Sequence, residues 1–225
     1  VSLGVAIALK ATPILLLVPF FIFRNYKAVF LALLVALGLN LPVLFSARGV
    51  DVAHDFLTMT NSVGSGDVTV DPFYDYSFER VLAPFFATYT LKSITLLIKA
   101  MLFFSFIFLS YKLSLKGEQG AKKAFLIGIP FMILLAPMVW FHHLSWLILL
   151  FAEGFIITLQ SKNFGRFVLL GLLYIVTGAF LYLHVIVRHH LGFGEEYMKL
   201  SLPFLVLLLI PIINSLPYPE REEKV

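Results

Sequence analysis

Apolar residues along this chain run in long unbroken blocks separated by short polar connections. Seven blocks stand out, at Val1–Phe23, Ala28–Ser46, Leu91–Tyr111, Ala124–Trp140, Leu144–Leu159, Phe167–Val187 and Leu200–Asn214. A bilayer core takes about 20 apolar residues of helix at about 1.5 Å rise each. The pattern therefore predicts an all-α, polytopic transmembrane protein with about seven spans forming one helical domain over residues 1–225. The fourth and fifth blocks are short enough to form a bent pair. Two connections, Arg24–Lys27 and Gln160–Arg166, are tight, whereas Ala47–Thr90 is long and carries Asp51, Asp55, Asp67, Asp71, Asp75 and Glu79.

Charge gives the blocks a direction. If the N-terminus is outside, the inner segments carry Arg24, Lys27, Lys112, Lys116, Lys122, Lys123, Lys162, Arg166, Arg221 and Lys224. The outer ones carry only Arg48, Arg80, Lys92, Arg188 and Lys199. Basic residues concentrate in cytoplasmic connections, so Ala47–Thr90 is expected to be a large extracytoplasmic loop and the chain a multi-pass protein of the plasma membrane. Composition agrees. The chain is 60% hydrophobic and 13% charged, against about 45–50% and about 25% in soluble domains. Phe alone occurs 24 times, and aromatic enrichment suits lipid contact and interfacial anchoring. There is no cysteine, which excludes disulfides, zinc–thiolate sites and thiol nucleophiles. The chain opens at Val1 inside an apolar block with no basic leader before it, and reads as the C-terminal piece of a longer protein.

Few residues could carry chemistry. The sharpest pattern is Ala136-Pro137-Met138-Val139-Trp140-Phe141-His142-His143-Leu144-Ser145-Trp146. Pro137 should kink or end its helix, because it lacks an N–H and clashes with the preceding turn. Two imidazoles then lie between two tryptophans at the outer surface, either as a proton acceptor and phosphate-binding pair or as polar tips of an aromatic belt. Lys10 sits in the outer half of the first block, three residues before Pro13, where it either marks a site for an anion or snorkels to water. Lys99 poses the same question. Glu153 lies mid-block and calls for a pair with a neighbouring helix, a neutral form, or a polar cavity, the pair being the favoured expectation. No phosphate-binding glycine loop, nucleophile elbow or HExxH helix occurs. The histidine pairs lack carboxylates at ligand spacing, so no metal or other cofactor is expected. The acidic outer loop argues against nucleic acid.

The stretch APMVWFHHLSW resembles the Pro…Trp-x-His-His-x-x-Trp signature of the glycosyltransferase 87 family, on Pro137, Trp140, His142, His143 and Trp146, with Met138 and Val139 departing from it. Lys10-Ala11-Thr12-Pro13, followed by an apolar run and Arg24, is similar to that family's Lys-x-x-Pro helix and basic turn. Asp75-Tyr76-Ser77-Phe78 before Arg80 is similar to its loop preceding a helix. The resemblance implies the GT-C architecture, of which this chain would be the C-terminal half. It also implies inverting transfer of a mannose-like hexose from a polyprenyl-phosphate carrier to a lipid or glycan acceptor, on the non-cytoplasmic side and without a metal. His142 and His143 would then be catalytic, and Lys10, Asp75, Ser77, Arg80, Trp140 and Trp146 would contact substrate. The family's catalytic carboxylate lies in an N-terminal module outside these residues. Two rivals remain: a transporter or lipid flippase, and a non-catalytic membrane assembly subunit whose polar residues hold helices together.

Overall fold

The computed structural model describes residues 1–9, 12–46, 48–49, 51, 54–55, 58, 77, 81–136, 146–190 and 206–216, with positions 43–44, 84, 88 and 178–190 in backbone only. Among them every regular element is helical and there is no strand, so the chain is all-α. The elements are α1 (Ser2–Leu9), a 3₁₀ turn (Thr12–Leu16), α2 (Leu17–Ile22), α3 (Tyr26–Leu44), a second 3₁₀ turn (Ala83–Phe85), α4 (Thr88–Ser114), α5 (Gly117–Leu135), α6 (Leu147–Gln160) and α7 (Phe164–His190). A last helix, α8, covers Val206–Ser215.

Two boundaries differ from the apolar blocks for a stated reason. The first block is not one helix. Its residues Thr12–Leu16, between α1 and α2, form a 3₁₀ turn carrying Pro13. Proline removes a backbone donor and disfavours the helical conformation of the residue before it. The fourth block stops at Leu135, and Ala136 is extended at φ −60°, ψ 139°. That is the conformation a following proline imposes, and Pro137 follows.

Three connections are tight turns. In the first, the Asn25 N–H bonds the Phe20 carbonyl at 2.9 Å and the Arg24 N–H that of Phe21 at 3.0 Å. In the third, Asn163 bonds Thr158 at 3.0 Å and Lys162 bonds Leu159 at 3.1 Å. Both are Schellman closures, with Arg24 (φ 57°) and Lys162 (φ 51°) in the left-handed position that glycine usually takes. In each, the next residue is an asparagine whose Oδ1 caps the following helix, accepting from Ala28 at 3.3 Å and from Arg166 at 3.1 Å. Basic–Asn–aromatic is thus a complete stop-and-restart signal, used at Arg24-Asn25-Tyr26 and at Lys162-Asn163-Phe164.

Packing centres on α5. It lies antiparallel to α4, with Gly120 against the Leu113 carbonyl, Gly128 against Phe106, and the Phe106 and Phe131 rings stacked at 5.0 Å. Small residues at 120, 124 and 128 share one side of the helix and let the backbones approach. The Leu16 side chain meets Gly128 from the 3₁₀ turn, and a Phe20–Phe125 edge contact at 6.0 Å brings in α2. The α6–α7 hairpin is held by Phe151–Tyr174 and Phe155–Phe167 rings at 5.3 Å. Leu209, Ile213 and Leu216 of α8 and its end complete the same core.

The outward faces are apolar. Helix α4 is long and apolar enough to cross a membrane by length and composition, and only 17% of its most apolar window is buried. Leu96, Leu97, Met101, Phe104 and Phe108 all project from it into the surroundings. Much of α3 is equally exposed, including Phe30, Leu34 and Leu37. Contiguous apolar surface of this extent marks a face that meets lipid or another protein.

Candidate functional site

Of the eight residues singled out from the sequence, Ser77 and Trp146 lie within the described residues. His142, His143, Lys10, Asp75, Arg80 and Trp140 lie outside them. What surrounds the histidine motif is nonetheless well defined. Ala136, buried in the core, ends one helix, and Trp146 opens the next as the residue preceding Leu147, packed against the core. The nine positions 137–145 therefore span two helix ends anchored in one core.

A cation stands where the motif begins. The Lys99 ammonium, from the middle of α4, donates to the Ala136 carbonyl at 3.3 Å. That carbonyl belongs to the C-terminal end of α5, where the helix dipole concentrates partial negative charge and a lysine is favoured. One turn earlier on the same face, Thr95 is buried and its hydroxyl meets no partner among the described residues. Thr95 and Lys99 form a polar step on the inner face of α4, which continues through Phe106, a second buried hydroxyl at Ser110, and Leu113. Sequence reasoning could place Lys99 in a span but could not find its acceptor, which is 37 residues away. The signal for Thr95 is its i, i+4 spacing from Lys99.

Ser77 is 2% exposed, and its carbonyl accepts the Val81 N–H at 3.0 Å. The segment expected to be a loop before a helix does lead into helical structure at Val81. The Ser77 side chain, however, faces the protein interior. The end of the expected Ala47–Thr90 loop is helical, with the 3₁₀ turn Ala83–Phe85 and the first residues of α4 falling within it. The second histidine pair, at 189 and 190, closes the backbone of α7.

At the opposite pole, basic side chains close the last helix. Lys123 donates to the Asn214 carbonyl at 3.1 Å and Arg166 to that of Ser215 at 2.6 Å. Burial holds the Lys123 ammonium below the usual lysine range, and the neighbouring charges of Lys116 and Arg166 push the same way. These bonds, with the Phe20–Phe125 contact, gather the ends of α2 and α8 and the starts of α5 and α7 at one basic pole. The pairing expected for Glu153 is not formed among the described residues. It lines a groove with Lys122, Phe20 and Phe125, half-buried and without an ion pair.

Compared with family models, with curated proteins and with solved structures, the chain has no match. Among the described residues no group of three or more His, Asp or Glu could hold a metal ion.

Proposed function

We propose that this chain is the C-terminal helical part of a membrane glycosyltransferase of GT-C type. It would cross the bilayer about seven times and transfer a mannose-like hexose from a polyprenyl-phosphate carrier on the non-cytoplasmic side. The observation that carries the reading is the His142–His143 motif between two helix ends, with the Lys99 ammonium on the carbonyl that introduces it. The clustering of Lys123, Arg166 and the end of α8 at one pole supports alternating spans with a basic cytoplasmic face. The exposed apolar faces of α3 and α4 support lipid contact.

In the reaction, an acceptor hydroxyl oxygen attacks the anomeric carbon and the bond from that carbon to the carrier phosphate oxygen breaks. The electron pair leaves with the polyprenyl phosphate, and the hydroxyl proton passes to an imidazole of the pair or to a carboxylate. A cation near the phosphate stabilises the charge that develops there. Lys10 and Arg80 are the proposed phosphate contacts, Asp75 the proposed polar contact, and Trp140 and Trp146 the proposed walls, while the buried Ser77 is left as a support of that segment.

The test is sugar transfer from labelled carrier by the full-length protein in membranes. Alanine at the critical histidine of the pair should lower turnover by about 10²–10⁴-fold at equal expression. Double alanine at 189–190 should be nearly silent. Equal tolerance at both pairs would return His142 and His143 to an aromatic belt. One observation favours a second reading: the first apolar block is a broken helix, a feature of transporters and flippases. Carrier-lipid translocation in vesicles without sugar transfer would select it.

A further inference from the structure

The turns that join α2 to α3, α4 to α5 and α6 to α7 lie at the basic pole, with the end of α8. Among the described residues the exposed cations there are Arg24, Lys27, Lys112, Lys116, Lys122 and Lys162, and the exposed acid is Glu118. The opposite end, where α3 stops and α4 starts, is balanced, with Arg48 and Lys92 against Asp51 and Asp55. Two of the cations occupy costly backbone positions. Arg24 (φ 57°) and Lys162 (φ 51°) are left-handed, where glycine would avoid the Cβ clash. Their turns are already closed by backbone bonds and by the caps of Asn25 and Asn163. Among the described residues neither cation makes a side-chain hydrogen bond or an ion pair, so neither side chain is what holds its turn.

Three helices leave this pole with the same succession of exposed side chains. Helix α3 starts with Arg24, Tyr26 and Lys27 and continues through Phe30 to Leu34. Helix α4, followed back from its end, runs Lys116, Lys112, Tyr111, Phe108 and Phe104, with the Lys112 ammonium 4.8 Å from the centre of the Phe108 ring. Helix α7 runs Lys162, Phe164, Val168 and Leu172. Within one helix, order along the chain is also distance from the pole. Cation, then aromatic ring, then an apolar face is the profile of lipid phosphate, interface and acyl chain. An acidic protein or a nucleic acid would match the cations and leave the rings and the apolar faces against water. We infer that the basic pole is a docking surface for acidic phospholipid headgroups, and that Arg24 and Lys162 hold their left-handed positions because their cations reach lipid phosphate. This surface is separate from the histidine motif and rests on the reading that the chain crosses a bilayer.

The experiment reconstitutes the full-length protein into bilayers holding trace spin-labelled phosphatidylglycerol or phosphatidylcholine. The fraction of each lipid immobilised at the protein gives their relative association. The acidic lipid should be preferred severalfold, and raised salt should shrink that preference. Arg24→Gly combined with Lys162→Gly should remove most of it, a cation near a membrane surface being worth about fivefold. The thermal midpoint of this variant should hold or rise, because glycine takes the left-handed position without strain. Lys92→Gln, at the opposite end, should leave the preference unchanged. Should the double glycine variant fold poorly, Lys112→Gln combined with Lys116→Gln should lower the preference in the same way. Equal association of the two lipids with the unaltered protein overturns the inference, as does a loss with Lys92→Gln equal to that of the pole variants. A preference unchanged in the double glycine variant, with a lowered midpoint, would leave Arg24 and Lys162 as partners of the helix dipole alone and overturn it too. Carbonate extraction tests the membrane reading separately: release of the protein sinks that reading, whereas retention without a preference for the acidic lipid sinks only the docking surface.

Discussion

Helices α4 and α5 are neighbours in one hairpin and are both rich in apolar residues, yet they occupy opposite environments. Nearly every residue of α5 from Ala124 to Leu134 is buried, whereas α4 buries one stripe and exposes the rest. Hydropathy does not separate them. What does is residue size and the order of contacts. Helix α5 carries Gly120, Ala124 and Gly128 on one side, so α4 and the Thr12–Leu16 turn can close on it. Helix α4 carries Phe, Leu and Met on its outer face, too bulky for close helix contact and well suited to lipid chains. Each lends one lysine to a helix end, Lys123 to α8 and Lys99 to α5. The first closes the basic pole and the second borders the candidate site.

The contrast is broken most directly by truncating one phenylalanine on each side of α4. Phe106, fully buried and stacked on Phe131, should lose about 3–4 kcal/mol on replacement by alanine. Phe104, 68% exposed, should change by less than about 0.5 kcal/mol. Unfolding in detergent by denaturant titration measures both. Similar losses at the two positions would mean that α4 is buried on both faces by something outside this chain.

Glycine substitution sharpens the account of α5. A Cβ at Gly120 would overlap the Leu113 carbonyl, a rigid backbone atom, while one at Gly128 would meet only the Leu16 Cδ2 and Phe106 Cζ side-chain atoms, at 2.8 and 3.2 Å. Gly120→Ala should therefore cost about 2–3 kcal/mol and Gly128→Ala about 1 kcal/mol. The reverse order would place the tightest contact on the side of the Thr12–Leu16 turn.

Next comes the lysine of α4. Lys99→Met keeps the apolar stem but removes the donor to the Ala136 carbonyl, at an expected cost of about 1 kcal/mol. If the cation also serves carrier phosphate, donor affinity should fall further than this loss of stability explains. Unchanged affinity would leave Lys99 a helix cap alone.

The smallest effect belongs to the lysine of α5. Its folded pKa lies below the ordinary lysine value of 10.5, so between the two values the unfolded chain holds a proton that the folded chain has released. Stability contributed by this group therefore rises with pH across that window, and the handicap of the charged form is fully present below it. Lys123→Gln should flatten that rise, seen as a shallower dependence of the thermal midpoint on pH. A parallel curve would show that Lys123 is better hydrated than its 9% exposure indicates.

How much was legible in the sequence varies by element. The all-helical class and the extent of α4 followed from block length and hydropathy, since a span is a local property of about 20 residues. The tight connections at Arg24–Lys27 and Gln160–Arg166 were equally local, although their caps, Asn25 and Asn163, came only with the structure. The end of α5 was readable from Pro137, whose effect reaches only one residue back. The break within the first block was not drawn, although Pro13 and Pro19 stood in it, because apolar continuity outweighed a local breaker. For the candidate site, the histidine motif was legible as a pattern of residue types, while its bordering cation was not.

By itself, then, the sequence determined where helices form, how two of the basic turns are built and which residues could do chemistry, because each depends on backbone preferences and side-chain types within a few positions. Only the tertiary structure decided which helix is central, that Lys99 meets Ala136 and Lys123 meets Asn214, and that Glu153 faces a groove with no ion partner among the described residues. Those contacts join residues 31 to 91 positions apart or more than one helix at once. They arise from which small-residue faces let backbones approach, and no local pattern encodes that choice.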